Sequence, residues 1–131
     1  MKATELRIGN LIKEEKDGTI ATVKGLPADR YIQYSIGRHP KQIYGEPLSW
    51  FIPIPLTEDW LYKFGIVELK NYGIHSDYGF NNFSDHSFRI TADGEGYWYY
   101  SNANTVIHLT HVHQLQNLYF ALTGEELTIK E

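Results

Sequence analysis

The stretch Val112–Leu127, VHQLQNLYFALTGEEL, is the clearest structural signal in this chain. Its apolar residues recur at the spacing of one helix face, and they are Val112, Leu115, Leu118, Tyr119 and Leu122. Thr110 lies where a hydroxyl can cap a helix N-terminus, and Gly124 lies where a left-handed residue commonly ends a helix. The stretch therefore predicts a helix over Val112–Thr123, with Leu115 and Leu122 buried against a sheet.

Polar side chains crowd the first two turns of this predicted helix, and they are His113, Gln114, Gln116 and Asn117. One interpretation is structural: they hydrogen-bond neighbouring loops or strand ends, because buried polar groups need partners. The other is functional: they form a ligand-facing patch that recognises a polar partner. The structural interpretation is preferred.

Strand signals precede the helix in the N-terminal part of the chain. Leu6–Leu26 is typical of a hairpin, since Asp17-Gly18 is a favoured two-residue turn. Tyr31–Ile36 predicts a third strand, with Ile32, Tyr34 and Ile36 on one face. Gly37–Pro47 contains two glycines and two prolines and is predicted to be a loop.

The central part of the chain combines an edge segment with a short helix. Trp50–Pro55 is apolar, but its prolines cannot donate to a sheet ladder, so it belongs at an edge or beside the sheet. Thr57–Gly65 begins with a capping threonine, carries Glu58 and Asp59 in its first turn and ends in glycine, which predicts a helix. Ile66–Leu109 predicts several antiparallel strands.

These elements predict one α+β domain over residues 1–131. It would consist of an N-terminal β-hairpin region, a short helix, and an antiparallel sheet covered by the C-terminal helix. The interval 53–57 is the one candidate for a subdomain boundary.

Composition excludes several classes of protein. The chain has 131 residues, no cysteine and a net charge of −4. Thiolate metal sites and cysteine nucleophiles are therefore excluded, and a broad basic surface for nucleic acid is disfavoured. No apolar run approaches the length of about 18 residues that a membrane helix needs, and no leader pattern is evident. We therefore expect a cytoplasmic protein that does not engage a membrane.

Three segments resemble an uncharacterised family of small bacterial and phage proteins. The first is the opening, Met1-Lys2-Ala3 through Glu5–Asn10; the second is Ile54–Leu61 with Phe64-Gly65, an IPLTxxWLxxFG element; the third is His113–Phe120 with Leu122-Thr123-Gly124. The resemblance implies no activity, cofactor or catalytic residue. It suggests an accessory role, because members of the family occur in bacterial genomes and mobile elements.

A weaker resemblance concerns the first hairpin. Arg7–Ile12, followed by a turn and a returning strand, resembles the opening of SH3-like small barrels. Such a barrel is one form that the N-terminal region could take, but a shared fold does not fix function.

Histidines and one polar segment are the candidates for chemistry. His108, His111 and His113 are the best metal candidates, but a helix beginning at Thr110 would direct His111 and His113 away from each other, so no metal or cofactor is predicted. Ser84-Asp85-His86-Ser87 holds the residue types of a hydrolytic triad. Neighbours on a strand face opposite sides, however, so a polar turn is the preferred interpretation.

Aromatic and basic segments are the candidates for binding. The aromatic cluster is Tyr97, Trp98, Tyr99 and Tyr100. Strand alternation would place one pair in the core and leave the other for a partner. The locally basic positions are Arg30, Arg38, His39 and Lys41.

The sequence thus favours a small non-enzymatic interaction or accessory protein that binds a protein partner or self-associates. The second interpretation is a nucleic-acid-binding accessory protein that uses the basic positions. A metal-dependent hydrolase is the third.

Overall fold

The computed structural model describes residues 1–37, 39–80, 88–102 and 104–130, with His39 described by its backbone alone. The described residues form two five-stranded antiparallel sheets and two α-helices. The elements are β1 (Leu11–Glu14), β2 (Ile20–Ala28), β3 (Tyr31–Ile36), β4 (His39–Pro47), β5 (Phe51–Ile52), α1 (Glu58–Lys63), β6 (Ile66–Asn71), β7 (His75–Phe80), β8 (Arg89–Asp93), β9 (Trp98–Asn102), β10 (Thr105–Leu109) and α2 (Val112–Thr123). The α+β class predicted from sequence is confirmed.

The chain divides into two compact units. The first unit comprises Met1–Pro55 and His111–Glu126, and the second comprises Leu56–Thr110 and Leu127–Glu131. The first change of unit, between Pro55 and Leu56, falls inside the interval 53–57.

The first unit is built on a sheet in the order β4-β3-β2-β1-β5. Its core consists mainly of side chains from one face of the first three strands, and Ile12, Ala21, Val23 and Ile32 are completely buried there. Among the described residues no strand pairing joins the edge strands β4 and β5, so the closed SH3-like barrel is not observed. The sheet is open.

Strand β4 corrects the expectation of a loop over Gly37–Pro47. It pairs along β3, with Tyr44 opposite Tyr34 and Pro47 opposite Tyr31. Prolines are tolerated here because β4 is an edge strand, where a missing N–H donor leaves no neighbouring strand unsatisfied. Trp50–Pro55 contributes the short edge strand β5, as the sequence predicts.

Helix α2 spans Val112–Thr123, as predicted, and Gly124 ends it with a φ of 75°. Its N-cap is His111, not Thr110, and the Gln114 side chain accepts a hydrogen bond of 3.0 Å from the His111 backbone N–H. The sequence favours packing of α2 on the Ile66–Leu109 sheet. The structure corrects this expectation, because α2 belongs to the first unit and contacts β1.

Burial along α2 also differs from expectation at one end. Leu115 is completely buried, whereas Leu122 is 47% exposed. The helix is therefore covered over its first two turns, and its last turn is open to solvent.

The second unit has a sheet in the order β10-β9-β8-β7-β6. Helix α1 begins as predicted: the Thr57 hydroxyl accepts a hydrogen bond from the Trp60 N–H at 3.4 Å, and Leu61 and Phe64 are completely buried. The sequence predicts several strands over Ile66–Leu109 but does not locate β7, because Ser, Asp and Gly in this strand are typical of turns. Gly79 is needed there, since a Cβ atom would lie 2.7 Å from the Phe88 carbonyl oxygen.

In the part of the chain that the structure describes, no helix is long and apolar enough to cross a membrane.

Candidate functional site

A cavity of about 700 Å³ opens at one end of the first sheet. We call it the aromatic–acidic cavity. Three kinds of side chain line it: the aromatic residues Tyr34, Tyr44 and Trp50, the carboxylates Glu14, Glu15 and Glu46, and the polar residues Lys16 and Ser49.

The alternation of strand residues explains how these side chains come together. On β1, Glu14 follows Ile12 on the same face, and on β3, Tyr34 follows Ile32 on the same face. The face that forms the aliphatic core therefore continues into a Glu and a Tyr at the end of the sheet. On β4, Tyr44 lies directly opposite Tyr34.

Two turns complete the rim of the aromatic–acidic cavity. Glu15 and Lys16 lie in the β1–β2 turn, and Ser49 and Trp50 lie in the single 3₁₀ turn Leu48–Trp50 before β5. The Glu15 N–H donates to the Trp50 carbonyl oxygen at 3.0 Å, which joins the two turns. The rim is thus fixed by a backbone hydrogen bond rather than by side chains alone.

The aromatic side chains form a floor and an exposed wall. The Tyr34 ring is buried, with its centroid 5.5 Å from that of Tyr44 in a stacked pair and 5.0 Å from that of Phe51 in an edge-on pair. Trp50, by contrast, is 54% exposed. An indole so exposed beside a cavity is available to a ligand.

The Tyr34 hydroxyl is a hydrogen-bond donor throughout the neutral range. It donates to Glu14 Oε1 at 3.5 Å, near the limit for a hydrogen bond. Burial, and then the negative charges of Glu14 and Glu46, raise the pKa of Tyr34 to about 12. The phenol therefore stays protonated and neutral in the floor of the cavity.

The carboxylates give the cavity an excess of negative charge. Three carboxylates and one ammonium group leave a formal charge of −2. Of the ion pairs found in the described residues, none includes Glu14, Glu15 or Glu46. Within the described residues no ion pair neutralises this charge, so the cavity is suited to a positively charged ligand.

The polar residues of α2 make hydrogen bonds inside the first unit. The Gln116 side chain accepts from the Leu11 N–H at 2.8 Å and donates to the Gly9 carbonyl oxygen at 3.1 Å. The Asn117 side chain accepts from Asn10 Nδ2 at 2.8 Å and donates to the Glu5 carbonyl oxygen at 3.0 Å. These are bonds of the kind that the structural interpretation predicts: α2 is fastened to the segment before β1.

His113 is the exception in that group. Its side chain is buried, and neither ring nitrogen has a hydrogen-bond partner within the described residues. Its Nε2 lies 3.7 Å from Glu5 Oε2. Burial lowers the pKa of His113, and the neighbouring His111 lowers it further.

The geometry expected for His111 and His113 is wrong. Their rings are nearly parallel, with centroids 5.9 Å apart. The reason is that His111 is the extended N-cap residue rather than part of the helix. His108 is exposed in the second unit, and no group of three or more His, Asp or Glu residues suited to a metal occurs in the described ranges.

The aromatic cluster of β9 is divided between core and surface. Trp98 packs edge-on against Tyr78 at 4.9 Å between centroids, and Tyr100 stacks on Phe88 at 6.4 Å. Tyr97 is 61% exposed in the turn before β9, and Tyr99 is half-buried beside His108. Tyr97 is therefore the member of the cluster most available to a partner.

The two basic positions whose side chains the structure describes, Arg30 and Lys41, do not lie together. Arg30 precedes the Tyr31 end of β3, which pairs with Pro47, whereas Lys41 follows His39, which pairs with Ile36 at the other end. Tyr31 and Ile36 are five positions apart along β3, a separation of roughly 16 Å. Arg38, the His39 side chain, and the segment Ser84-Asp85-His86-Ser87 lie outside the described residues.

The aromatic–acidic cavity does not follow from the sequence alone. Tyr44 and Glu46 belong to the segment predicted to be a loop, so their partnership with Tyr34 was hidden. The one available signal is the two-residue spacing of Gln42, Tyr44 and Glu46, which would place the three side chains on one face of a strand. This spacing is compatible with an edge strand as well as with a loop.

Comparison of the chain with models of protein families, with curated proteins and with solved structures yields no match in any of the three.

Proposed function

We propose that this chain is a non-enzymatic interaction protein whose first unit binds a positively charged segment of a protein partner. The observation that carries the proposal is the aromatic–acidic cavity, in which three aromatic side chains lie beside three carboxylates that have no ion pair in the described residues. The resemblance to an uncharacterised family of small bacterial and phage proteins, which suggests an accessory role, is compatible with this proposal.

Two forces would act on a cation in the cavity. An aromatic ring attracts a cation over its face, by about 0.5–1 kcal/mol at exposed sites and more where water is excluded. Trp50 is the ring best placed for this, since it is half exposed at the rim. The carboxylates add a field that raises the local concentration of cations and speeds association at low salt.

The same charges support a protein partner over nucleic acid. The phosphates of a nucleic acid would be repelled by the carboxylates of Glu14, Glu15 and Glu46 at the cavity. Arg30 and Lys41 lie at opposite ends of the β3–β4 pairing, so neither supplies a continuous basic track.

The test is a calorimetric titration of the full chain with a short peptide rich in lysine and arginine, and with a counterpart in which glutamate replaces both. We expect saturable binding of the basic peptide alone, weakening as salt rises. The double substitution Glu14→Gln with Glu46→Gln should abolish it, because it removes two cavity charges and preserves side-chain shape.

The matched control is Glu95→Gln with Glu125→Gln, which removes two charges from exposed positions outside the cavity. The control should bind the basic peptide as the unmodified chain does. Equal loss in both double variants, or no binding of the basic peptide, would contradict the proposal.

A second surface favours self-association. Tyr97 and Ile74 are exposed at the same end of the second sheet, where the Gly94 N–H donates to the Ile74 carbonyl oxygen at 3.1 Å. These two side chains are the candidate contacts of a surface for self-association.

A further inference from the structure

The geometry points to arginine, rather than lysine or a methylated lysine, as the residue that the aromatic–acidic cavity receives, an inference that rests on the proposed function. Two features of the cavity distinguish these cations, the number of acceptors and the shape of the aromatic wall, and a third, the volume, determines how much of the peptide enters.

The first feature is the number of hydrogen-bond acceptors. Glu14, Glu15 and Glu46 bring three carboxylates to one cavity, and only Glu14 accepts a side-chain hydrogen bond from another lining residue, the long one from Tyr34. A guanidinium group has five N–H donors in a planar fork, an ammonium group has three, and a trimethylated ammonium group has none. A donor-poor cation would desolvate these carboxylates without replacing their bonds to water, which is costly.

The second feature is the aromatic wall. Methylated ammonium groups are recognised by aromatic cages that surround the cation. Here Tyr34 and Tyr44 stack on each other at 5.5 Å, so each covers a face of its neighbour, and Tyr34 is buried. Trp50 is thus the one ring among the lining residues that is more exposed than buried. A single open face suits a planar guanidinium, which stacks on one ring and directs its edges to carboxylates.

The third feature is size. A cavity of about 700 Å³ lies within the range of roughly 300–1,000 Å³ that is usual for sites holding a drug-sized ligand. It exceeds what one side-chain tip fills, so the residues flanking the arginine would also enter. Lys16 at the rim would then meet the backbone carbonyls of the peptide and disfavour a second cation beside the first.

The experiment is a calorimetric titration of the full chain with four capped pentapeptides, Gly-Gly-X-Gly-Gly. X is arginine, lysine, trimethyllysine or citrulline, which has the shape of arginine without its charge. We expect the arginine peptide to bind about tenfold more tightly than the lysine peptide, since the guanidinium forms additional charge-assisted hydrogen bonds. Citrulline and trimethyllysine should bind more weakly still.

Variants identify which feature produces the preference. Glu46→Gln should reduce the preference for arginine over lysine, because it removes a carboxylate that the fork can reach. Trp50→Leu should weaken arginine binding while leaving the thermal midpoint of the chain nearly unchanged, because Trp50 is half exposed. Glu95→Gln, outside the cavity, should change neither affinity nor preference.

The outcomes separate this inference from the proposed function. Lysine or trimethyllysine binding as tightly as arginine would overturn the inference and leave a cation-binding cavity standing. If the chain binds none of the four pentapeptides and does not bind the basic peptide described above, both the inference and the proposed function are overturned. An arginine preference that Glu46→Gln leaves intact would place the binding outside the cavity and would also overturn the inference.

Discussion

Gln116 lies fully buried in the first unit, and both polar atoms of its side chain are hydrogen-bonded to backbone atoms at Leu11 and Gly9. Buried groups of this kind cost more when left unpaired than the bond contributes when made. The side chain therefore matters less as a helix residue than as the partner of backbone groups at the start of β1.

We predict that Gln116→Leu destabilises the chain by about 1–3 kcal/mol for each backbone group left without a partner. Leucine has a similar size, so little of the loss would come from a cavity. The free energy of unfolding in urea measures the effect. Gln42→Leu on the exposed edge strand β4 is the control and should change that energy by less than about 0.5 kcal/mol. Equal effects in the two variants would refute the argument.

His113 gives the chain a defined dependence on pH. Its pKa is lowered below 6.5 by burial and by His111, and the chain N-terminus lowers it further, while Glu5 opposes the shift. The unfolded chain therefore binds a proton at a higher pH than the folded chain does. The contribution of His113 to stability is constant above about pH 7, falls as pH drops through 6.5, and levels off below the lowered pKa.

Urea unfolding of the chain and of His113→Leu between pH 5 and pH 8 tests this prediction. The difference in unfolding free energy between the two should change with pH in that window, with the unmodified chain losing more on acidification. Gln42→Leu, which changes no titratable group, should keep the pH dependence of the unmodified chain. A difference that does not vary with pH would show that His113 titrates normally.

At the scale of the element, α2 has one buried and one exposed end. Leu115→Ala should cost about 2–5 kcal/mol of unfolding free energy, because the residue is completely buried. Leu122→Ala, the same substitution two turns later, should cost less than about 0.5 kcal/mol, because that side chain is 47% exposed. Similar losses at both positions, in the same denaturation experiment, would show that the last turn is covered in solution.

The β8–β9 hairpin offers a second test of this kind. Tyr97→Ser should reduce self-association, measured by sedimentation velocity over a range of concentrations, with little loss of stability. Trp98→Ala should instead unfold the second unit more easily, by about 3–5 kcal/mol, since Trp98 packs on Tyr78 in the core. A chain that sediments as a monomer at every concentration would remove the self-association proposal.

Elements whose determinants are local could be predicted from the sequence. Thr57 caps α1 through an atom three residues away, and Gly124 ends α2 through its own backbone angle. Strands β4 and β7 could not be located from the sequence, because both contain residues that are typical of turns. The prolines of β4 are tolerated because β4 is an edge strand, and the glycine of β7 is required because a neighbouring carbonyl oxygen lies too close for a Cβ atom. The candidate site follows from the pairing of Tyr44 with Tyr34, a register that no local signal specifies.

At the scale of the whole molecule, each unit combines two separate parts of the chain. His111–Glu126 completes the first unit, and Leu127 is buried within the second. A chain ending at Thr110 should therefore lose the cooperative folding of the first unit and weaken the second, seen as a broad thermal transition by circular dichroism. A chain ending at Leu127 keeps all of His111–Glu126 and the buried Leu127, and should melt sharply. A sharp transition in the shorter chain would contradict this dependence.

The hydrogen bonds of Gln116 also set an order for synthesis. The Leu11 N–H and its acceptor on Gln116 are separated by 105 residues, and all of Leu56–Thr110 is made between them. During translation the Leu11 N–H remains hydrogen-bonded to water while the strands of the second unit emerge and pair. The second sheet therefore has its strands available before the first unit has its helix, and a nascent chain stalled before residue 112 would leave the Leu11 N–H and the Gly9 carbonyl oxygen without the side chain that bonds them in the folded chain.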